Sequence, residues 1–274
     1  MPIKRRSGPP IRWGVAGRFT PSTKRSANPA PAAPHKLLLK VTLLKRSLTE
    51  ATGTAFLLAA VVGSGIMAQR LSAGNQAIAL LANTLATGAV LVCLIAALGP
   101  LSGAHFNPAV SFADSIRGGL PWRELPAYWL SQIAGALVGV ALANVMFGLP
   151  VFFTSQHART GPSLWLAEFV ATFGLVVVIW GCVRSRSALT PLAVAAYIVA
   201  AYWFTSSTSF ANPAVTLARS LSDTFAGIRP LDVPAFVLAQ LAGAAVATYA
   251  FQTVAPFPKI ESDPVLVPHD GATR

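Results

Sequence analysis

Ser102-Gly103-Ala104-His105-Phe106-Asn107-Pro108-Ala109-Val110 and, in the second half of the chain, Ser209-Phe210-Ala211-Asn212-Pro213-Ala214-Val215 carry one triplet in one setting. Asparagine is a strong helix N-cap. Proline suits the first helical position, where its missing N–H costs nothing. Each Asn-Pro-Ala therefore reads as a helix start, and short helices are predicted over 108–116 and 213–220.

What surrounds the triplets decides what such short helices are for. Runs without Asp, Glu, Lys or Arg cover 51–69, 71–113, 125–158, 187–218 and 233–258. A bilayer-crossing helix needs about 20 apolar residues. The chain is 54% hydrophobic and 11% charged, against about 25% charged in an ordinary soluble domain. Six spans are predicted, at 47–69, 76–98, 122–146, 164–183, 189–204 and 234–254. The stretches left over, 101–120 and 206–228, are too long for turns and hold the two triplets. The expected fold class is an all-α membrane protein of six transmembrane helices and two re-entrant half-helices.

The halves repeat one another. Glu50-Ala51-Thr52-Gly53-Thr54 in the first span answers Glu168-Phe169-Val170-Ala171-Thr172 in the fourth, and Gln132-Ile133-Ala134-Gly135 in the third answers Gln240-Leu241-Ala242-Gly243 in the sixth. An odd number of spans per half makes the second copy enter from the opposite face. The result is an inverted three-helix repeat, whose functional centre lies near the midplane between the halves. The two half-helices would meet there N-terminus to N-terminus, each bringing about half a positive charge. Non-helical backbone at that depth is tolerated only where it is buried or lines a wet cavity. Positive half-helix ends with amide donors, here Asn107 and Asn212, oppose protons and cations while passing neutral hydrogen-bonding molecules. A third triplet, Asn28-Pro29-Ala30, lies in a Pro-rich tail with no adjoining spans and has no such role.

The net charge of +12 suggests nucleic acid only until its distribution is read: eleven of the 21 Lys and Arg precede Ser47, where there is no acid. From Ser47 onward ten basic residues face nine acidic ones. A basic flank beside a first span is what the positive-inside rule places in the cytoplasm. Arg184, Arg186 and Lys259 fall on the same side, so both termini are expected to be cytoplasmic in a bacterial inner (plasma) membrane. Residues 1–46, rich in Pro, Ser, Lys and Arg, read as a disordered tail or an over-long start; 47–255 read as the channel domain and 256–274 as a C-terminal tail. Cys93 and Cys182 lie in apolar runs and read as small hydrophobes. No metal-ligand spacing, cofactor motif or nucleophile–base constellation is visible, so neither a metal, a cofactor nor an enzyme activity is expected.

The paired motifs resemble those of the aquaporin (major intrinsic protein) family over about residues 47 to 254. The resemblance implies the hourglass fold, a homotetramer with one pore per subunit in the lipid bilayer, and passage of water or small neutral solutes. It gives Asn107, Pro108, Ala109, Asn212, Pro213 and Ala214 as the pore motifs. It makes Glu50 and Glu168 the buried acids that tie down loop backbone, and His105 the loop histidine before the first motif. Family members of the water and glycerol types carry Arg directly after the second motif; here that position is Val215. Carrying the filter over by distance from each motif gives Thr87, Ala200, Ser209 and Val215, a set wider and less polar than a water-only filter. Arg219, one turn on from Val215 and on the same helix face, is expected to anchor the loop or touch the pore. The string from Phe210 to Ile228 resembles a bacterial aquaglyceroporin subgroup associated with arsenic resistance, which implies neutral arsenite, methylated arsenicals and glycerol as solutes. A coupled secondary transporter, which also uses inverted repeats, is the alternative; its only deep acids would be Glu50 and Glu168.

Overall fold

A computed structural model of the protein describes residues 41–185 and 187–256. The tail over 1–40 with its Asn28-Pro29-Ala30 triplet, Arg186, and the tail beyond 256 with Lys259 lie outside the described residues.

Eight α-helices follow in order among the described residues: α1 Leu43–Leu71, α2 Gln76–Ser102, α3 Pro108–Arg117, α4 Leu125–Met146, α5 Pro162–Arg184, α6 Thr190–Phe204, α7 Pro213–Arg219 and α8 Val233–Val254. Five are long and apolar enough to cross a bilayer, and α6 is a shorter apolar helix of 15 residues. At 1.5 Å per residue α6 reaches about 22 Å, short of a hydrocarbon core of about 30 Å. Residues 205–212 follow it as a turn and loop that lead into α7.

The boundaries have local causes. Helix α1 starts at Leu43, four residues inside the expected tail, because the Thr42 hydroxyl caps it by accepting from the Lys45 amide. Asn75 caps α2 the same way, accepting from the Ile78 amide after a turn through Ala73 and Gly74 at positive φ. Pro100 does not stop α2; it ends at Gly103, whose φ of 89° is the left-handed region that glycine adopts freely.

The packing repeats as the sequence does. Helix α1 lies against α4 and α2, as α5 lies against α8 and α6, and α2 with α6 joins the halves. Close approach depends on the paired glycines. A Cβ on Gly135 would stand 2.1 Å from the Ala51 carbonyl oxygen, and one on Gly243 would stand 2.5 Å from that of Phe169. Those carbonyls belong to the residues directly after Glu50 and Glu168. Small residues at such crossings let backbones touch, which is how helices associate in lipid. The half-helices α3 and α7 each pack against both α4 and α8. They are thereby held between the repeats, where neither could span alone.

Candidate functional site

The loops that deliver the chain into α3 and α7 have the same unusual backbone. Ala104 and Phe106 stand at φ of 50° and 47°, and Ser209 and Ala211 at 49° and 48°. Non-glycine residues held there cost about 1–3 kcal/mol each and persist only where the surroundings over-determine them. Here the over-determination is a buried carboxylate per repeat. Glu50 accepts from the Ser102 hydroxyl at 2.6 Å, the His105 amide at 3.0 Å, the Phe106 amide at 2.6 Å and the Gln132 side chain at 2.9 Å. Glu168 accepts from the Phe210 amide at 2.9 Å, the Ala211 amide at 2.8 Å and the Gln240 side chain. The glutamines then donate onward, Gln132 to the Ser111 hydroxyl at 2.9 Å and Gln240 to that of Thr216 at 2.8 Å. Each acid-bearing span thus grips its own loop and, through a glutamine, its own half-helix. Both carboxylates are fully buried and occupied by loop donors.

With the amides turned toward the glutamates, the cap asparagines meet across the repeat boundary. Asn107 accepts from the Ala109 amide at 2.9 Å through Oδ1 and donates through Nδ2 to the Ala211 carbonyl at 2.7 Å. Asn212 accepts from Ala214 at 3.0 Å and Val215 at 3.2 Å and donates to the Phe106 carbonyl at 2.8 Å. An amide nitrogen carries two hydrogens, so each asparagine keeps one donor beyond its structural bond. Pro108 and Pro213 fill the first helical positions, and Ala109 and Ala214 are fully buried behind them.

A narrow cavity of about 60 Å³ runs past these residues, room for a short file of water-sized molecules. Its lining is mostly apolar, with Leu57, Val61, Leu91, Ile95, Leu175, Ile179, Val194 and Ile198. Polar groups in the same lining come from His105, Asn107, Asn212, Ser209, Thr87, Tyr202 and Arg219. A mostly aliphatic lining with a few hydrogen-bonding groups favours a solute that carries hydrogen-bonding oxygens and no net charge. His105 is buried, its Nδ1 2.9 Å from the Ser111 hydroxyl and its Nε2 3.7 Å from the Asp114 carboxylate.

Toward the face bearing the α1–α2 turn, the cavity meets a vestibule of about 680 Å³. Thr87, Ser209 and Val215 line the channel near this end. Ala200 does not: it is exposed on the outer face of α6, and the channel position from that helix is Tyr202, whose hydroxyl lies 3.3 Å from the Thr87 hydroxyl. Two residues along a helix are about 200° apart around its axis. Counting by fixed distance therefore lands on the wrong side of α6. The phase of its buried residues, Val194, Ile198, Ala201 and Tyr202, gives the inward face.

Arg219 both anchors and faces the pore: its Nε donates to the Ala226 carbonyl, and it lines the channel and the vestibule. Arg159, in the connection between α4 and α5, was not singled out from sequence, although it is a lone cation closing a long uncharged run. It reaches the Gly227, Ser207 and Phe225 carbonyls and is held well below the usual arginine range, at about 10, by burial. His157 beside it is also lowered, first by burial and then by Arg159 and Arg219. Among the described residues no group of His, Cys, Asp and Glu has the spacing of a metal site.

Comparison with known proteins is consistent across sequence and structure. The profile of the Major intrinsic protein family matches residues 38–207. The aquaglyceroporin AqpS of Rhizobium meliloti (strain 1021) is 57% identical over 205 residues, covering 75% of this chain and 88% of that protein. Aquaporin NIP1-4 of Oryza sativa subsp. japonica is 30% identical over 222 residues, covering 79% of each. The X-ray structure of the aquaglyceroporin from Plasmodium falciparum shares the fold, with a TM-score of 0.60 at 21% identity over 78% of this chain and 98% of that one.

Proposed function

Since the chain belongs to the major intrinsic protein family, we propose that it is a passive channel whose neutral constriction passes small uncharged solutes, polyols among them. The protein is a multi-pass membrane channel and not an enzyme. The observation that carries the finer reading is the set Thr87, Tyr202, Ser209 and Val215 at the vestibule end of the channel. Three hydroxyls and one methyl-bearing side chain offer hydrogen bonds without a fixed charge among them. Arsenous acid as the neutral trihydroxide has three hydroxyl groups, as glycerol does, and suits such a ring; methylated arsenicals add an apolar group that the aliphatic lining accepts. Water is small enough to pass as well.

The occupancy of Glu50 and Glu168 by loop amides favours passive flow over coupled transport, because coupling needs an acid free to exchange protons. The basic tail, Arg184 and Arg186 support a cytoplasmic placement of both termini, which puts the vestibule on the outer face of a bacterial plasma membrane. Exposed apolar side chains on α1, α2 and α4, among them Phe56, Leu85 and Leu130, leave faces for lipid and for neighbouring copies in a homotetramer.

The test is uptake of arsenite, glycerol, urea and water, side by side, into vesicles carrying the protein. Polyol and arsenite permeabilities well above empty vesicles are expected, without dependence on a pH gradient. Rates equal to empty vesicles refute channel function, and flux requiring a proton gradient transfers the case to coupled transport.

A further inference from the structure

The fixed cation of this channel stands one helical turn away from the position where the family resemblance leads one to look for it. Val215 leaves the constriction uncharged, but Arg219 follows at i+4 on the same helix face. Arg219 is 3% exposed, and among the described residues it alone lines both the channel and the vestibule. Its guanidinium carbon sits 3.4 Å from the centroid of the Phe210 ring, and its Nε is fixed by the Ala226 carbonyl. Among the described residues its two terminal nitrogens meet no protein acceptor, and the side chain is shared by the linings of the two cavities. Arg159 approaches the same ring to 5.0 Å, with its guanidinium tied to three carbonyls. Among the described residues neither guanidinium is paired with a carboxylate. Asp223, which also lines the vestibule, accepts through Oδ1 from the Gln156 amide at 2.9 Å and the Ser155 hydroxyl at 3.3 Å and makes no ion pair with either arginine.

Glu168 acts on both guanidiniums from a distance without contacting either, and two positive charges in low-dielectric walls at the neck of a funnel raise the local potential. We propose that Arg219, reinforced by Arg159, adds a cation barrier to that of the half-helix ends and is the first hydrogen-bond donor of this channel, placed at the vestibule neck above a constriction that is itself neutral. Charge exclusion and size selection are thereby divided between two levels. The neck rejects cations and presents terminal N–H groups to solute oxygens, while Thr87, Tyr202, Ser209 and Val215 set the width below. The assignment rests on the channel reading given above and names which residue carries its charge selectivity.

Two measurements test it. In a background with Cys93→Ser and Cys182→Ser, Thr208→Cys places a thiol in the vestibule wall. An anionic thiosulfonate reagent should modify it about tenfold faster than a cationic one of similar size, each relative to free thiol. The preference should shrink in high salt. Equal rates, or a cationic preference, overturn the proposal even if the arginine variants do not assemble, because both arginines are intact here. In vesicles, Arg219→Gln should raise proton leak relative to glycerol flux about tenfold, the scale of a several-kT barrier removed, whereas Arg219→Lys should stay near the parent ratio. An unchanged ratio in Arg219→Gln overturns it. Absence of neutral-solute flux in the parent protein would instead refute the channel reading, while the labelling ratio still reports the charge at the neck.

Discussion

The Nδ2 of Asn107 donates to the carbonyl oxygen of Ala211 at 2.7 Å, and through that bond the first half-helix is held by the loop of the second repeat. The reciprocal bond from Asn212 to Phe106 makes the contact two-fold. Each asparagine is therefore at once a helix cap, a strut between repeats and a donor facing the channel. Losing the cap alone costs about 1 kcal/mol. Asn107→Ala or Asn212→Ala is expected to reduce glycerol flux at least about tenfold, since the strut and the donor go as well. Stopped-flow swelling of vesicles with matched protein content checks this, and flux within twofold of the parent would contradict it.

The glutamates make a sharper stability prediction. Glu50→Gln replaces one acceptor oxygen by a donor that faces the Phe106 or His105 amide, leaving buried donors unsatisfied at about 1–3 kcal/mol each. Glu168→Gln does the same to Phe210 and Ala211. Both variants should melt several degrees below the parent in detergent, and Glu50→Asp, which keeps the charge but shortens the reach, should fall between. Parent-like melting of the Gln variants would mean the loops hold their left-handed backbone without the carboxylate.

Packing of the spans is tested by glycines with opposite surroundings. Gly135→Ala drives a methyl into the Ala51 carbonyl, while a Cβ on Gly181 meets nothing within 4 Å. Gly135→Ala should cost more than 1 kcal/mol, as overpacking typically does. Gly181→Ala should be neutral or slightly stabilising, by up to about 1 kcal/mol, because it removes helix-interior glycine entropy. Thermal melting of the two variants side by side decides it.

Selectivity should respond to the channel face of α6 and not to its outer face. Tyr202→Ala removes the ring beside Thr87 and should raise urea and glycerol flux relative to water, whereas Ala200→Leu should leave the ratio unchanged. Val215→Arg should narrow the same level and lower the ratio. It also sets a second guanidinium four residues from Arg219, so the variant will be less stable through like-charge repulsion of a few tenths of a kcal/mol. An Ala200→Leu that changes selectivity while Tyr202→Ala does not would restore the position obtained by counting.

Much of this was legible in the residues because the membrane enforces it. Uncharged runs locate the long helices, and Asn-Pro-Ala locates α3 and α7 to within a residue of their ends, since capping and the missing proline N–H act locally. The pairing of Glu50 with Gln132 and of Glu168 with Gln240 was visible as a repeat, but its meaning was not: the loop amides that join them come from tertiary structure. Ala200 failed because distance along a chain does not fix rotation about a helix. Arg159 escaped notice because it comes from a connection whose path back over the vestibule has no local signature.

The bonds around the two glutamates also imply an order of assembly. Every donor to Glu50 lies between Ser102 and Gln132, and every donor to Glu168 between Phe210 and Gln240. During synthesis the N-terminal half can thus set its own loop once α4 has left the translocation machinery, before α5 exists. The asparagine struts form only when the second loop arrives. An early-released N-terminal half would be a shaped half-shell awaiting its counterpart, not a failed channel.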